Sequence, residues 1–234
     1  MEKLLSNIAD NIKRIQSDII EEALKCGRDP NEIRLMAVTK TVPAPLVNHA
    51  VSCGIRLLGE NRAQELRDKY EEYNKDGVDI HFIGHLQTNK VKYIVDMVSM
   101  VHSVGSLKLA QEISRQCVKA GVSMDLLVEV NIGGEASKSG IPSQEVEGLL
   151  SEIAGLDAIK VRGLMTIPPI CANRVEIERY FSKMQAIMVD IKAKKIDNIT
   201  MDFLSMGMSD DYRYAIPYGA NILRVGSAIF GSRG

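Results

Sequence analysis

The chain has 234 residues, 45% of them apolar, enough for one sizeable core, and α/β barrels of about 200 to 250 residues commonly fold as single units. Lys and Arg total 29 against 30 acidic residues, a net charge of −1, so no global field draws in nucleic acid or an anionic membrane surface. The N-terminal segment carries charges every few residues, no apolar run approaches the roughly 18 residues of a membrane span, and Cys26, Cys53, Cys117 and Cys171 are scattered without a C-x-x-C; a reduced, cytoplasmic chain without signal peptide or membrane anchor is expected.

Leu5, Ile8, Ile12, Ile15 and Ile19 recur every three or four residues, which predicts an amphipathic helix ended by Gly27 and Pro30. The stripe covers barely three heptads. It is read as packing against the rest of the chain rather than as a coiled-coil seam, and a monomer is expected.

Eight short apolar or β-branched runs follow: Arg34–Thr39, Ile55–Gly59, Ile80–Gly84, Met100–Ser103, Leu126–Asn131, Val161–Thr166, Phe203–Met206 and Ile222–Gly226. Segments with helical spacing separate them, the clearest being Ile177 to Ile191 behind a candidate N-cap at Asn173. Strands alternating with helices imply right-handed βαβ units and a parallel sheet. Eight units predict the α/β class and a single (β/α)8 barrel domain over 1–234, with the extra helix in 1–27 and the barrel in 33–231. A doubly wound open sheet is the alternative. Only AIFGSRG follows the eighth run, too little for a full outer helix, so the N-terminal helix is expected to cover the gap between the eighth and first strands.

Barrel enzymes build their sites at the C-terminal ends of the strands. Those ends read Lys40, Glu60-Asn61, His85 with Gln87, His102-Ser103, Asn131, Thr166, Ser209 and Gly226-Ser227. Lys40 is either a solvated strand end or, over a barrel mouth, a partly desolvated amine suited to Schiff-base chemistry. Ser209, in MGMSDDYRYAI, and Ser227, in LRVGSAIFG, either N-cap helices or donate to a phosphate, with Gly207 and Gly226 permitting close backbone approach. Asp210 and Asp211 would repel such a phosphate unless they point away. Arg224 interrupts an apolar run, so it makes a structural salt bridge or faces a ligand.

Other patterns fail. The segment from Gly133 to Ser139 lacks the Gly that a P-loop places before its lysine, here Lys138. His81 and His85 at i, i+4 would share a strand face, yet no third ligand is nearby, so no metal site is expected.

The segments AVTKTVP, LLGENRAQEL, HFIGHLQTNK, GLMTIPP and MGMSDDYRYAI with LRVGSAIFG, in this order, resemble the pyridoxal-phosphate homeostasis protein family, relatives of the barrel domain of alanine racemase. The resemblance runs from about residue 33 to 231. It implies pyridoxal 5′-phosphate held as an aldimine on Lys40, phosphate against Ser209, Gly226 and Ser227, Arg224 facing the pyridine nitrogen, and Asn61 near the ring. One departure is Ala220-Asn221, where many relatives carry hydroxyl residues that would serve the phosphate side.

A guanidinium cannot yield its proton to the ring, so that ring would be a weak electron sink. The implied function is a cofactor carrier within the cell that buffers a reactive aldehyde, with enzymes lacking their cofactor as recipients. An amino-acid racemase of low activity is the alternative; it needs a second base opposite Lys40, which alanine racemase draws from a separate C-terminal domain. A cofactor-free Schiff-base aldolase is a third reading.

Overall fold

The computed structural model describes residues 2–135, 139–171 and 173–231; Lys138 lies outside them. Eight parallel strands close into a barrel in sequential order: β1 Arg34–Val38, β2 Leu57–Glu60, β3 Asp79–Phe82, β4 Met100–Val104, β5 Met124–Glu129, β6 Ile159–Met165, β7 Ile199–Ser205 and β8 Ile222–Val225. The pairing of Met36 with Arg224 and Ala37 with Val225 makes the closure. The expected barrel is therefore present and the open sheet is excluded. Its helices are α1 Glu2–Lys25, α2 Ala44–Ser52, α3 Ala63–Lys69, α4 Leu107–Ala120, α5 Val146–Ile153, α6 Arg174–Lys194, α7 Tyr212–Ala215 and α8 Ser227–Phe230.

Helix α1 buries Ile8, Ile12, Ile15 and Ile19, each contributing about 1.5 to 3 kcal/mol, and leaves Leu5 half-buried. Gly27, at φ +71°, stops it in the left-handed region while the Arg28 N–H closes on the Ala23 carbonyl. It packs on α2, α7 and α8. Asn11 donates to the Ile229 carbonyl of α8, and Tyr212 of α7 donates to Asp18, so α1 covers the seam that the four-residue α8 leaves. The Asn173 side chain caps α6 by accepting the Glu176 N–H.

Inside the barrel, Met36, Val38, Leu57, Ile83 and Ile222 form one apolar cluster and Met100, Leu127 and Met165 another, with Phe203 touching both. Arg162 bonds Asp125 and Asp202 below them, with its guanidinium 5.2 Å from the Phe203 ring centroid. Strand β7 therefore starts at Ile199, four residues before the run read from sequence: the charge of Asp202 hides a strand that its ion pair with Arg162 anchors.

Candidate functional site

At the C-terminal mouth a cavity of about 220 Å3 is lined by Lys40, Asn61, Ser209, Arg224, Gly226 and Ser227, the six residues singled out above. Val38, Ile83, Ile167, Met208 and Asp210 complete its wall; the four apolar residues were not anticipated, and Asp210 was named only as a carboxylate that would repel a phosphate unless it pointed away. The cavity thus combines polar fittings with the apolar side chains of Val38, Ile83, Ile167 and Met208, the usual make-up of a small-molecule site.

Lys40 is separated from the end of β1 by one residue, Thr39, and precedes Thr41, whose φ of +62° is rare for a β-branched residue and costs about 1 to 3 kcal/mol. Polar contacts from α3, partly buried, hold this turn. The Thr41 N–H donates to Glu65, and Lys69 Nζ donates to the carbonyls of Thr39 and Val42 at 3.1 Å and to Glu65 at 2.7 Å. Beneath them lies Glu60, fully buried, whose Oε1 accepts from Thr39 Oγ1 and Tyr73 OH at 2.6 Å each and lies 3.5 Å from Lys69 Nζ. Burial and then the Glu60 charge hold the Tyr73 phenol well above its ordinary range, so it stays a donor. Helix α3 supplies the clamp because Glu65 and Lys69, four apart, lie on one face.

Asn61 comes close because residue 84 is glycine: a Cβ there would stand 2.1 Å from the Asn61 carbonyl oxygen. Its Oδ1 is buried with no hydrogen-bond partner among the described residues. A bound molecule with a donor would relieve that cost.

Ser209 does not cap its own helix. Asp211, at the start of α7, reaches back to accept the Met208 N–H at 2.6 Å and makes no cap bond to the helix, while Ser209 Oγ accepts the N–H groups of Gly226 and Ala228, both at 3.2 Å. Two backbone donors thus already converge on one oxygen beside the cavity, the arrangement a phosphate oxygen also satisfies. The Asp211 side chain is taken up by its backbone contact to Met208, and burial raises its pKa; Asp210 does line the cavity. Gly207 is a packing residue instead: at φ +89°, any Cβ would meet Ala215 and the Tyr212 backbone within about 3 Å, and its carbonyl accepts the Arg224 N–H.

Arg224 is 4% exposed and, contrary to the salt-bridge reading, both groups it donates to are neutral: Ser205 Oγ at 2.7 Å and the Thr166 carbonyl at 2.8 Å. Burial lowers its pKa to about 10, opposed by the charges of Asp211 and Glu129; it stays a cation. Glu129, largely buried, is pushed up by desolvation and pulled back by Arg224.

Several expectations change. Asn221 lies at the far end of β8, bonded to the backbone of Asp202 and Leu204, so the Ala220-Asn221 departure does not touch the phosphate side. His81 and His85 share no strand face, because β3 ends at Phe82 and His85 is exposed. His81 points instead to His102, with 2.9 Å between Nδ1 and Nε2. Among the described residues no group of three or more His, Cys, Asp or Glu is placed to hold a metal ion.

The residues fit a phosphorylated aldehyde: an amine at Lys40, N–H donors gathered at Ser209, a buried cation at Arg224 and an unsatisfied amide oxygen at Asn61. Comparison with known proteins points the same way. The family profile described as the alanine racemase N-terminal domain matches residues 5–234. Pyridoxal phosphate homeostasis proteins of Pseudomonas aeruginosa and Aquifex aeolicus are 39% and 37% identical, covering 98% and 97% of this chain and 97% and 99% of theirs. Among solved structures, PipY of Synechococcus elongatus with PLP bound superposes with a TM-score of 0.83 at 29% identity, covering 96% of this chain and all of its own. Alanine racemase of Corynebacterium glutamicum, at 15% identity and a TM-score of 0.72, shares the fold. The chain belongs to the pyridoxal phosphate homeostasis protein family, built on the barrel of the alanine racemase N-terminal domain.

Proposed function

We propose that this protein binds pyridoxal 5′-phosphate as an aldimine on Lys40 and acts inside the cell, as a monomer, to carry and buffer the cofactor. The observation that carries this reading is the convergence in one cavity of the Lys40 amine, the buried Arg224 guanidinium and the Ser209, Gly226 and Ser227 segment. The related PipY structure with PLP bound and the names of the homeostasis relatives support it. When bound, the cofactor would supply a reactive aldehyde, for which Lys40 would provide the amine.

The protein's own groups do the rest. The Glu60–Lys69–Glu65 clamp holds the strained Lys40 turn so that the lysine lines the mouth. The Gly226 and Ala228 N–H groups and the Ser209 hydroxyl receive phosphate oxygens. Arg224, a permanent cation with no proton to release, keeps the ring nitrogen unprotonated and so discourages carbanion chemistry. Racemisation also needs a second base, and the described residues of the cavity include one lysine and no tyrosine. Incubating the loaded protein with an apo-enzyme tests the carrier role: recovery of that enzyme's activity at a rate above that with Lys40→Ala is expected, and no transfer would contradict it.

A further inference from the structure

Deep in the barrel a polar chain runs from β3 to β8 beside the apolar clusters of the interior. His81 Nδ1 lies 2.9 Å from His102 Nε2, His102 Nδ1 lies 3.0 Å from Ser205 Oγ, and Ser205 Oγ accepts from Arg224 Nη1 at 2.7 Å. His102 and Ser205 are fully buried and His81 is 1% exposed. Nothing in the cofactor chemistry above uses the two histidines.

Counting donors orients the chain. A guanidinium only donates, so Ser205 Oγ is an acceptor toward Arg224 and has one proton of its own to place. Its other partner is His102 Nδ1, which must therefore be the bare nitrogen. His102 then carries its proton on Nε2, directed at His81 Nδ1, and His81 carries its own on Nε2. The opposite order would leave the Ser205 hydroxyl proton without an acceptor in the barrel interior. Burial keeps both imidazoles neutral at ordinary pH, consistent with this order.

We propose that Ser205, His102 and His81 form a one-way hydrogen-bond chain that orients Arg224 toward the ring nitrogen of the bound cofactor, Ser205 and His102 acting as positioning residues. The chain and the Thr166 carbonyl fix Nη1 and Nη2 from neutral acceptors. No carboxylate in that pair of contacts offsets the guanidinium, so its charge stays available to the cavity it lines. A neutral imidazole is essential: a protonated His102 would turn an N–H against Ser205 and place a second cation behind Arg224. This role rests on the proposed cofactor binding, whereas the order of protons in the chain does not.

The test has two arms. In ligand-free protein labelled with 15N-histidine, long-range 1H–15N correlation spectra at neutral pH should show His102 and His81 both protonated on Nε2; a proton on His102 Nδ1 would overturn the chain. In the second arm, Ser205→Ala and Ser205→Thr are titrated with pyridoxal phosphate and their bound-state absorbance recorded beside their melting temperatures. Ser205→Ala should weaken binding about tenfold, the effect of one hydrogen bond to a charged group, and shift the bound absorbance, and Ser205→Thr should restore both. If Ser205→Ala fails to fold, Ser205→Thr and His102→Asn, which keeps an acceptor toward Ser205, carry the comparison, and each should retain the parental band. Parental affinity and band in Ser205→Ala, or failure of Ser205→Thr to restore them, would refute the positioning role. Failure of the parent to bind pyridoxal phosphate would refute the cofactor reading and leave the spectra of the first arm to judge the chain.

Discussion

Replacing Lys69 with methionine should reveal how much the clamp contributes to the Lys40 turn. The change keeps most of the apolar stem and deletes the cation that lies 2.7 Å from Glu65 and 3.5 Å from the fully buried Glu60. Removing one partner of a buried ion pair costs about 3 to 5 kcal/mol, because the other charge is stranded. The long contact to Glu60 and the 15% exposure of Lys69 argue for the lower end, about 3 kcal/mol. Two carbonyls, of Thr39 and Val42, also lose a donor, adding about 1 kcal/mol in all once water replaces part of the loss. The expected total is about 4 kcal/mol, a large part of a typical folding stability. Urea unfolding of the parent, Lys69→Met, Glu60→Gln and the double variant would measure it. In the double variant the stranded carboxylate is gone, so its loss should fall short of the sum of the singles by about 1 to 3 kcal/mol. A loss below about 1 kcal/mol in Lys69→Met, or strict additivity, would refute the clamp.

Four further outcomes are expected. Ser209→Ala should weaken pyridoxal phosphate binding about ten- to a hundredfold in a fluorescence titration, the value of one charge-assisted hydrogen bond, without changing the shape of the absorbance band. Arg224→Glu should instead alter the band, because a carboxylate facing the ring nitrogen favours its protonation; the same variant sets a carboxylate against the Thr166 carbonyl and should also unfold at lower urea. With burial holding His81 near a pKa of about 3 and His102 well below its usual value, the unfolded chain binds more protons than the folded one below about pH 6.5, so stability should fall as pH drops from 6.5 to 5 with a slope approaching about 3 kcal/mol per unit, and a flat profile in urea unfolding would contradict neutral buried histidines. Loaded protein incubated with L- or D-alanine in deuterated water should show negligible exchange at the α-carbon by NMR, whereas steady exchange would favour the racemase.

The fold was legible because each strand is an apolar run bounded by turn residues, and all eight runs overlap the strands they announce. The late starts read for β5, β6 and β7 share one cause. Asp125, Lys160 and Asp202 interrupt the apolar pattern at the beginnings of β5, β6 and β7, and two of these charges are held by Arg162, a partner that no local window contains. The cavity was legible in part for a similar reason in reverse: barrel closure brings every strand end to one mouth, so the polar residues at those ends include Lys40, Asn61, Ser209, Gly226 and Ser227 of the cavity, although Glu60, His85, Gln87, His102, Ser103, Asn131 and Thr166 from the same ends do not line it. What stayed hidden depends on contacts across the fold. Glu60 beneath the Lys40 turn, the Ser209 hydroxyl on the Gly226 and Ala228 N–H groups, and the His81–His102–Ser205–Arg224 chain each join residues from separate strands or loops. The spacing of Glu65 and Lys69 on α3 was the one local signal of the clamp.

The most direct test of the central claim is to load the purified protein with pyridoxal phosphate, record its visible absorbance, reduce it with borohydride and locate the modified lysine by peptide mass mapping. The account predicts a band that disappears on reduction, a stable label on Lys40 and neither band nor label in Lys40→Ala. A label on any other lysine with Lys40 unmodified, or a band that survives in Lys40→Ala, would contradict it.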